Sequence, residues 1–380
     1  MFVTAAAARS LQACRVLAVV LAGHVLAACS SGTSPQAPAP AAVVNVYNWS
    51  NYVDPAMLER FTAETGIEVN YDTFDSAEAM EGKLAAGRSG YDVVVASTGS
   101  FPRQVRAGVY RPLERTRLTN FGNLDPALMA RLAVADPRST YSVPYHWGTF
   151  GLAYDAGEIA ARLPDAPVDG LALLFDPEVS RRLADCGIAL VDSPIDVIGA
   201  ALLYLGRDPN SERAEDLAAA ERVLAAIRPY VRSINTENVV TQLANGEVCL
   251  ALTWSGNALL ARTRAREART GADVRYVVPR EGALMFFDLL AVPADAPNPD
   301  NAHRLIDFLL RADVAAELSS KLQYPNANAA SWPLLDPAVR DDPTVYPTAA
   351  VQAKLVLDRE DSPEFLRLVS RAWTRFRTGT

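Results

Sequence analysis

From residue 43 onward the chain alternates between two hydrophobic periods. Val43-Val44-Asn45-Val46-Tyr47 is a short apolar run of strand character; Asp54-Pro55 then opens a helix with Leu58 and Phe61 on one face, stopped at Gly66. The pattern repeats with a strand over 67–71, a helix capped at Asp75-Ser76 and ended at Gly87, a strand over 91–96 and a short helix ending at Gly108. A βαβαβα order predicts a parallel sheet covered by helices on both faces. A second run begins after Tyr145-His146-Trp147, with a strand over 188–191, a helix carrying Leu217, Ala220, Leu224 and Ile227 at helical spacing, and a strand over 247–253. Helices follow over 301–310, 312–322 and 364–375, the last expected to pack on the second half.

Two lobes fit this pattern and length. The extended segments 141–154 and 274–292 are each long enough to leave one lobe and enter the other, so the expected hinge has two crossovers. Lobe 1 is drawn as residues 43–146 plus 276–325, and lobe 2 as 147–275 plus 326–380.

Ahead of this body, residues 1–28 carry Arg9 and Arg15, an apolar run over 16–28 and small residues leading to Cys29. The run is shorter than the ~20 residues of a membrane helix, so it reads as a secretory signal. Leu26-Ala27-Ala28-Cys29 resembles the bacterial lipobox, which makes Cys29 the expected lipidation site and residues 29–42, rich in Pro and Ser, the tether. An extended proline-rich chain at ~3.1 Å per residue would hold the body roughly 30–40 Å from a membrane, the only membrane contact expected. No later stretch is long and apolar enough to span a bilayer.

Removing the two signal arginines takes the formal charge from −8 to −10, and no basic cluster balances it, which argues against nucleic acid as a partner. Of four cysteines, Cys186 and Cys249 remain once Cys14 and Cys29 are set aside. In an oxidising compartment they read as a disulfide worth roughly 4 kcal/mol on the chain-entropy model, two buried thiols being the alternative.

Three predicted strands end in Trp49-Ser50-Asn51-Tyr52, Ser97-Thr98-Gly99-Ser100 and Trp254-Ser255-Gly256-Asn257. Ligands of open α/β sheets sit beyond such strand ends, so these tetrapeptides are candidate walls of one pocket. With Phe286 and Asp288 they suggest a box for a small organic cation, because ring faces attract ammonium groups and a carboxylate supplies the counter-charge. Beyond the signal only His146 and His303 remain, in no metal-ligand spacing, and no nucleotide or nucleophile-elbow motif occurs. Binding is favoured over catalysis, with no cofactor or metal expected; His146 reads as a packed hinge residue, Tyr145 and Trp147 as hinge candidates, and Asp192 as structural.

At Tyr47-Asn48-Trp49-Ser50-Asn51-Tyr52 the chain resembles the periplasmic polyamine-binding proteins of bacterial ABC importers, the putrescine type in particular. The likeness continues through Glu64-Thr65-Gly66-Ile67, Gly90-Tyr91-Asp92-Val93-Val94-Val95, Asp185-Cys186-Gly187, Leu243-Ala244-Asn245-Gly246, Phe286-Phe287-Asp288, Asn326-Ala327-Asn328 and Arg371-Ala372-Trp373-Thr374. It implies a two-lobed α/β fold of the type II periplasmic-binding-protein kind, each lobe a mainly parallel sheet, and a monomer that hands its ligand to a membrane permease. It also implies site roles: Trp49, Tyr52, Trp254, Phe286 and Tyr324 as aromatic walls, Ser50 and Ser97 as hydroxyl partners, Asp288 as the grip on one amine, Asp196 as a further acid, and Cys186–Cys249 as the disulfide. Two positions depart from the family pattern, Asn51 and Asn257 standing where acids are usual. A charge lost ~4 Å from an ammonium forfeits on the order of 1–4 kcal/mol, which implies a ligand less charged than putrescine, or putrescine held more weakly. Rival readings are a sensor without transport and an amide hydrolase using His146.

Overall fold

The computed structural model describes residues 42–50, 52–74, 76–164 and 167–379. The signal, Cys29, the tether up to residue 41, Asn51 and Asp75 lie outside the described residues. Ten strands share one sheet: β1 Val43–Trp49, β2 Glu68–Phe74, β3 Val93–Ser97, β4 Ser142–Asp155, β5 Ile188–Leu190, β6 Val231–Ile234, β7 Leu250–Trp254, β8 Val274–Val277, β9 Ala283–Ala291 and β10 Leu355–Leu357. Their order is β2-β1-β3-β9-β4-β7-β5-β6, with β10 on β9 and β8 on β4.

Local chemistry sets the first half. Asp54 caps the helix Pro55–Thr65 by accepting from the Ala56 N–H, and Gly66 ends it at φ +70°, where a side chain would be strained. Met57 and Phe61, four residues apart, form its buried stripe; the expected Leu58 lies at the flank and is only half-buried. β1 pairs in parallel with β2 and β3, and β5 in parallel with β6 and β7. Between these groups β4 pairs antiparallel with β9 over 142–149 and with β7 over 150–154, so one fourteen-residue strand, buried throughout, serves both halves. β9 also pairs antiparallel with β3.

The cores divide along the same line. Val44, Phe61, Val95, Leu305 and Leu318 pack on one face of the first half, and Met80, Phe101, Trp147 and Phe287 on the other. The second half is built on Leu152, Leu190, Leu224 and Leu252, with Phe365, Val369, Trp373 and Phe376 of the helix Pro363–Thr378 laid against it. Asp192 holds that helix, accepting from Trp373 Nε1 at 2.6 Å and pairing with Arg377 at 2.9 Å, as its structural reading requires. Cys186 and Cys249 are joined, their Cα atoms 5.5 Å apart. Residues 326–357, grouped with lobe 2 by the sequence pattern, make extensive contacts with the first half: Leu355 and Leu357 pair with β9 and enter its core, and the Asn328 side chain donates to Leu310 O.

Candidate functional site

β9 carries the central acid. In its antiparallel pairing with β3 and β4, Asp288 stands directly opposite Ser97 on one side and His146 on the other, so all three share one face of the sheet. Ser97 Oγ donates to Asp288 Oδ1 at 2.5 Å and Tyr52 OH donates to Oδ2 at 2.7 Å. The carboxyl is 4 % exposed, and burial raises its pKa to about 6 even though Ser97, Tyr52 and the nearby Trp49 indole favour the charged form. Among the described residues no Lys or Arg contributes to holding it ionised.

Rings enclose this acid. Tyr52 stands edge-on to Tyr324 at 4.7 Å and to His146 at 5.2 Å, while Trp49 tilts onto Phe74 at 4.5 Å. Trp49 Nε1 is buried without a partner at hydrogen-bonding geometry. So are both ring nitrogens of His146, whose pKa burial lowers to about 3 and for which the Pro325 carbonyl is only a weak counterweight. Alternation along β9 puts Phe286 on the Asp288 face and the fully buried Phe287 on the opposite one.

Glycines bring the two halves together. A Cβ on Gly148 would lie 2.5 Å from the Phe286 ring and 3.2 Å from Ser255 Oγ, and one on Gly256 would lie 1.7 Å from Tyr324 OH. Tyr324, packed on the first-half core, therefore reaches the start of the helix Ser255–Ala268 that follows β7. On that side Trp254 tilts onto Phe150 at 5.9 Å, and Asp196, in the first turn of the helix Pro194–Tyr204, accepts from Ser193 Oγ at 2.7 Å. Burial raises Asp196 to about 6, opposed by Ser193 and Trp254. Asn257 turns its amide back to the end of β7, donating to Thr253 Oγ1 at 3.1 Å. Ser50 ends β1 half-buried, its N–H donating to Phe74 O at 3.2 Å.

The structure thus gathers Trp49, Tyr52, Ser97, Phe286 and Tyr324 around Asp288, and Trp254 beside Asp196. It also adds a residue the sequence reading missed. Asp358, just past β10, donates its N–H to Met285 O at 3.0 Å and accepts from Thr98 Oγ1 at 2.5 Å. Burial and the negative charges of Asp196 and Asp288 raise it to about 7, against the Thr98 hydrogen bond. In the sequence Leu355-Val356-Leu357 is an apolar run ending in a polar residue, but at three residues it is too short to stand out as a strand. Two surface hollows, of about 200 and 290 Å³, lie elsewhere and are lined by arginines such as Arg228 and Arg262, the wrong sign for a cation.

Comparison with known proteins falls on the same ground. The family model described as bacterial extracellular solute-binding protein matches residues 56–348. The putrescine-binding periplasmic protein SpuD of Pseudomonas aeruginosa is 41% identical over 365 residues, 96% of this chain and 98% of that protein. Its Escherichia coli counterpart, the putrescine-binding periplasmic protein PotF, is 42% identical over 338 residues, 88% and 91% of the two chains. Among solved structures, the spermidine/putrescine ABC transporter substrate-binding protein PotD of Streptococcus pneumoniae superposes with a TM-score of 0.78 at 26% identity, covering 89% of this chain and 99% of that one.

Proposed function

The chain belongs to the bacterial extracellular solute-binding protein family, and from that premise we propose that it captures a polyamine outside the cytoplasm and delivers it to an ABC permease. The observation that carries this reading is Asp288, a buried carboxylate held by Tyr52 and Ser97, ringed by aromatic faces and matched by no Lys or Arg among the described residues. A buried acid without a counter-charge costs free energy in the empty protein, and an ammonium ion restores the balance. Tyr52, Tyr324, Phe286 and Trp254 add cation–π attraction and exclude water. The relatives named for putrescine support the same ligand class and a periplasmic location.

The finer parts of the reading follow the sequence. Two lobes, residues 43–146 with 276–357 and residues 147–275 with the helix Pro363–Thr378, are hinged at β4 and the β8–β9 segment and close on the ligand where Tyr324 meets Gly256. The protein works as a monomer, tethered through lipidated Cys29, and performs no catalysis. Isothermal calorimetry of the purified protein against putrescine, spermidine and cadaverine tests the core of this: micromolar or tighter binding of at least one is expected, and none at millimolar amine defeats it. Mass spectrometry after prolonged incubation with an amide-linked polyamine should find it intact.

A further inference from the structure

The acids of the cleft are not distributed as the strand-end motifs suggest. Ser97 and Thr98, consecutive residues at the end of β3, each donate a hydroxyl to a different carboxylate, Ser97 to Asp288 and Thr98 to Asp358. Thr98 is itself fixed: its N–H donates to Phe287 O, and its Oγ1 accepts from Phe287 N at 3.1 Å, so the two carboxylates are anchored to one rigid turn. Gly99 makes room for the second, since a Cβ there would lie 2.7 Å from Asp358 Oδ2. Asp358 also lies close enough to both Asp196 and Asp288 to feel their charges.

A second unmet group on the same face is His146. It is 1 % exposed, shares the face of Asp288, packs against Tyr52 and Tyr324, and leaves both ring nitrogens unpaired. A neutral imidazole so placed offers a lone pair to a donor that the described residues do not supply. The ammonium of an amine held by Asp288 would be such a donor.

Resting on the polyamine reading of this cleft, we propose that Asp358 is the second ammonium anchor of the site, so that the protein selects amines that are cationic at both ends. This replaces the expectation of a less charged ligand drawn from Asn51 and Asn257. Asn257 is engaged with Thr253, and the charge that it and Asn51 lack is supplied from β10, at a different point on the wall.

Calorimetry on the full chain with putrescine and N-acetylputrescine tests this in wild type, Asp358→Asn and Asp288→Asn. The wild type is expected to prefer putrescine at least 100-fold, and Asp358→Asn to reduce that preference at least tenfold by losing affinity chiefly for the diamine. If Asp358→Asn keeps the wild-type affinity and preference while Asp288→Asn loses putrescine, the role given to Asp358 is overturned and the cleft assignment stands. A wild type that prefers N-acetylputrescine overturns it without reference to any variant, should Asp358→Asn fail to fold. A wild type that binds neither amine removes the polyamine reading as well.

Discussion

Two clusters of acids in this protein have opposite surroundings. On the outer face of the first half, Glu64 and Asp313 interleave with Arg60 and Arg311 at hydrogen-bonding distance. Asp313, despite partial burial, is brought to about 2 by Arg311 and Arg60, and Glu64 is lowered by the same two arginines. In the cleft, Asp196, Asp288 and Asp358 have hydroxyl partners but, among the described residues, no Lys or Arg that lowers them, and burial raises all three, to about 6, 6 and 7. The first cluster is complete in the folded chain. On the polyamine reading the second is completed by the bound cation, and that asymmetry would separate an acidic surface, which says little about function, from an acidic site.

The sharpest way to break the comparison is Asp288→Asn. If the carboxylate exists for the ligand, the variant loses at least 100-fold in putrescine affinity, about 2.7 kcal/mol, while the ligand-free protein melts no lower than wild type because an uncompensated buried charge has gone. Unchanged affinity, or a melt lowered by several degrees, would make Asp288 a structural acid like those of the surface cluster.

Proton linkage is the next largest effect. Carboxyls raised above the unfolded value near 3.8 bind protons in the folded state that the unfolded chain has already released, so they stabilise the free protein at low pH and that contribution is lost as pH rises through about 6 to 7. Asp361, also raised to about 6, acts in the same direction; His146, neutral in the fold with its pKa lowered to about 3, acts against them below about 6.5. A diamine requires the ionised acids. Its affinity should therefore rise roughly tenfold to a hundredfold from pH 5.5 to 7.5, with protons released on binding at pH 6, read by calorimetry in buffers of different ionisation enthalpy. Proton uptake would reverse the assignment.

Trp254→Ala is expected to cost about tenfold, the scale of one desolvated cation–π face, with little change in melting because the indole is only partly buried. A variant that binds like wild type would leave the second half of the cleft without a part in recognition.

Much of this architecture is written locally. Asp54, Gly66 and the residues buried at helical spacing between 217 and 227 act through contacts within a turn or two, and the chain pattern reveals them. That Trp49, Ser97 and Trp254 end strands was legible for a related reason, since a strand that stops at an aromatic or hydroxyl residue is visible without its neighbours. Asp358 was not. β10 has three residues, too few for a periodic signal, and what makes Asp358 part of the cleft is its pairing with β9 about seventy residues away and the hydroxyl of Thr98, 260 positions earlier. The antiparallel course of β4 and β9 through a sheet expected to be mainly parallel was hidden likewise, because pairing direction depends on where the chain crosses between halves. The Asn257 side chain, read as facing the ligand, turns to Thr253, a choice among rotamers that sequence does not encode.

The smallest effect belongs to the surface cluster and closes the comparison from its other side. Arg60 bonds Glu64 on its own helix and Asp313 on the helix Ala312–Leu322, with about a third of its side chain exposed. Exposed pairs of this kind gain little, because water and salt screen the charges and two long side chains must be held still. Arg311 also remains to serve both acids. Arg60→Ala should therefore lower stability by no more than about 1 kcal/mol, a shift of a few degrees in melting temperature that shrinks in high salt, and should leave putrescine affinity within twofold of wild type. Binding that fell tenfold would mean that the outer cluster communicates with the cleft, and that the two sets of acids form one electrostatic system.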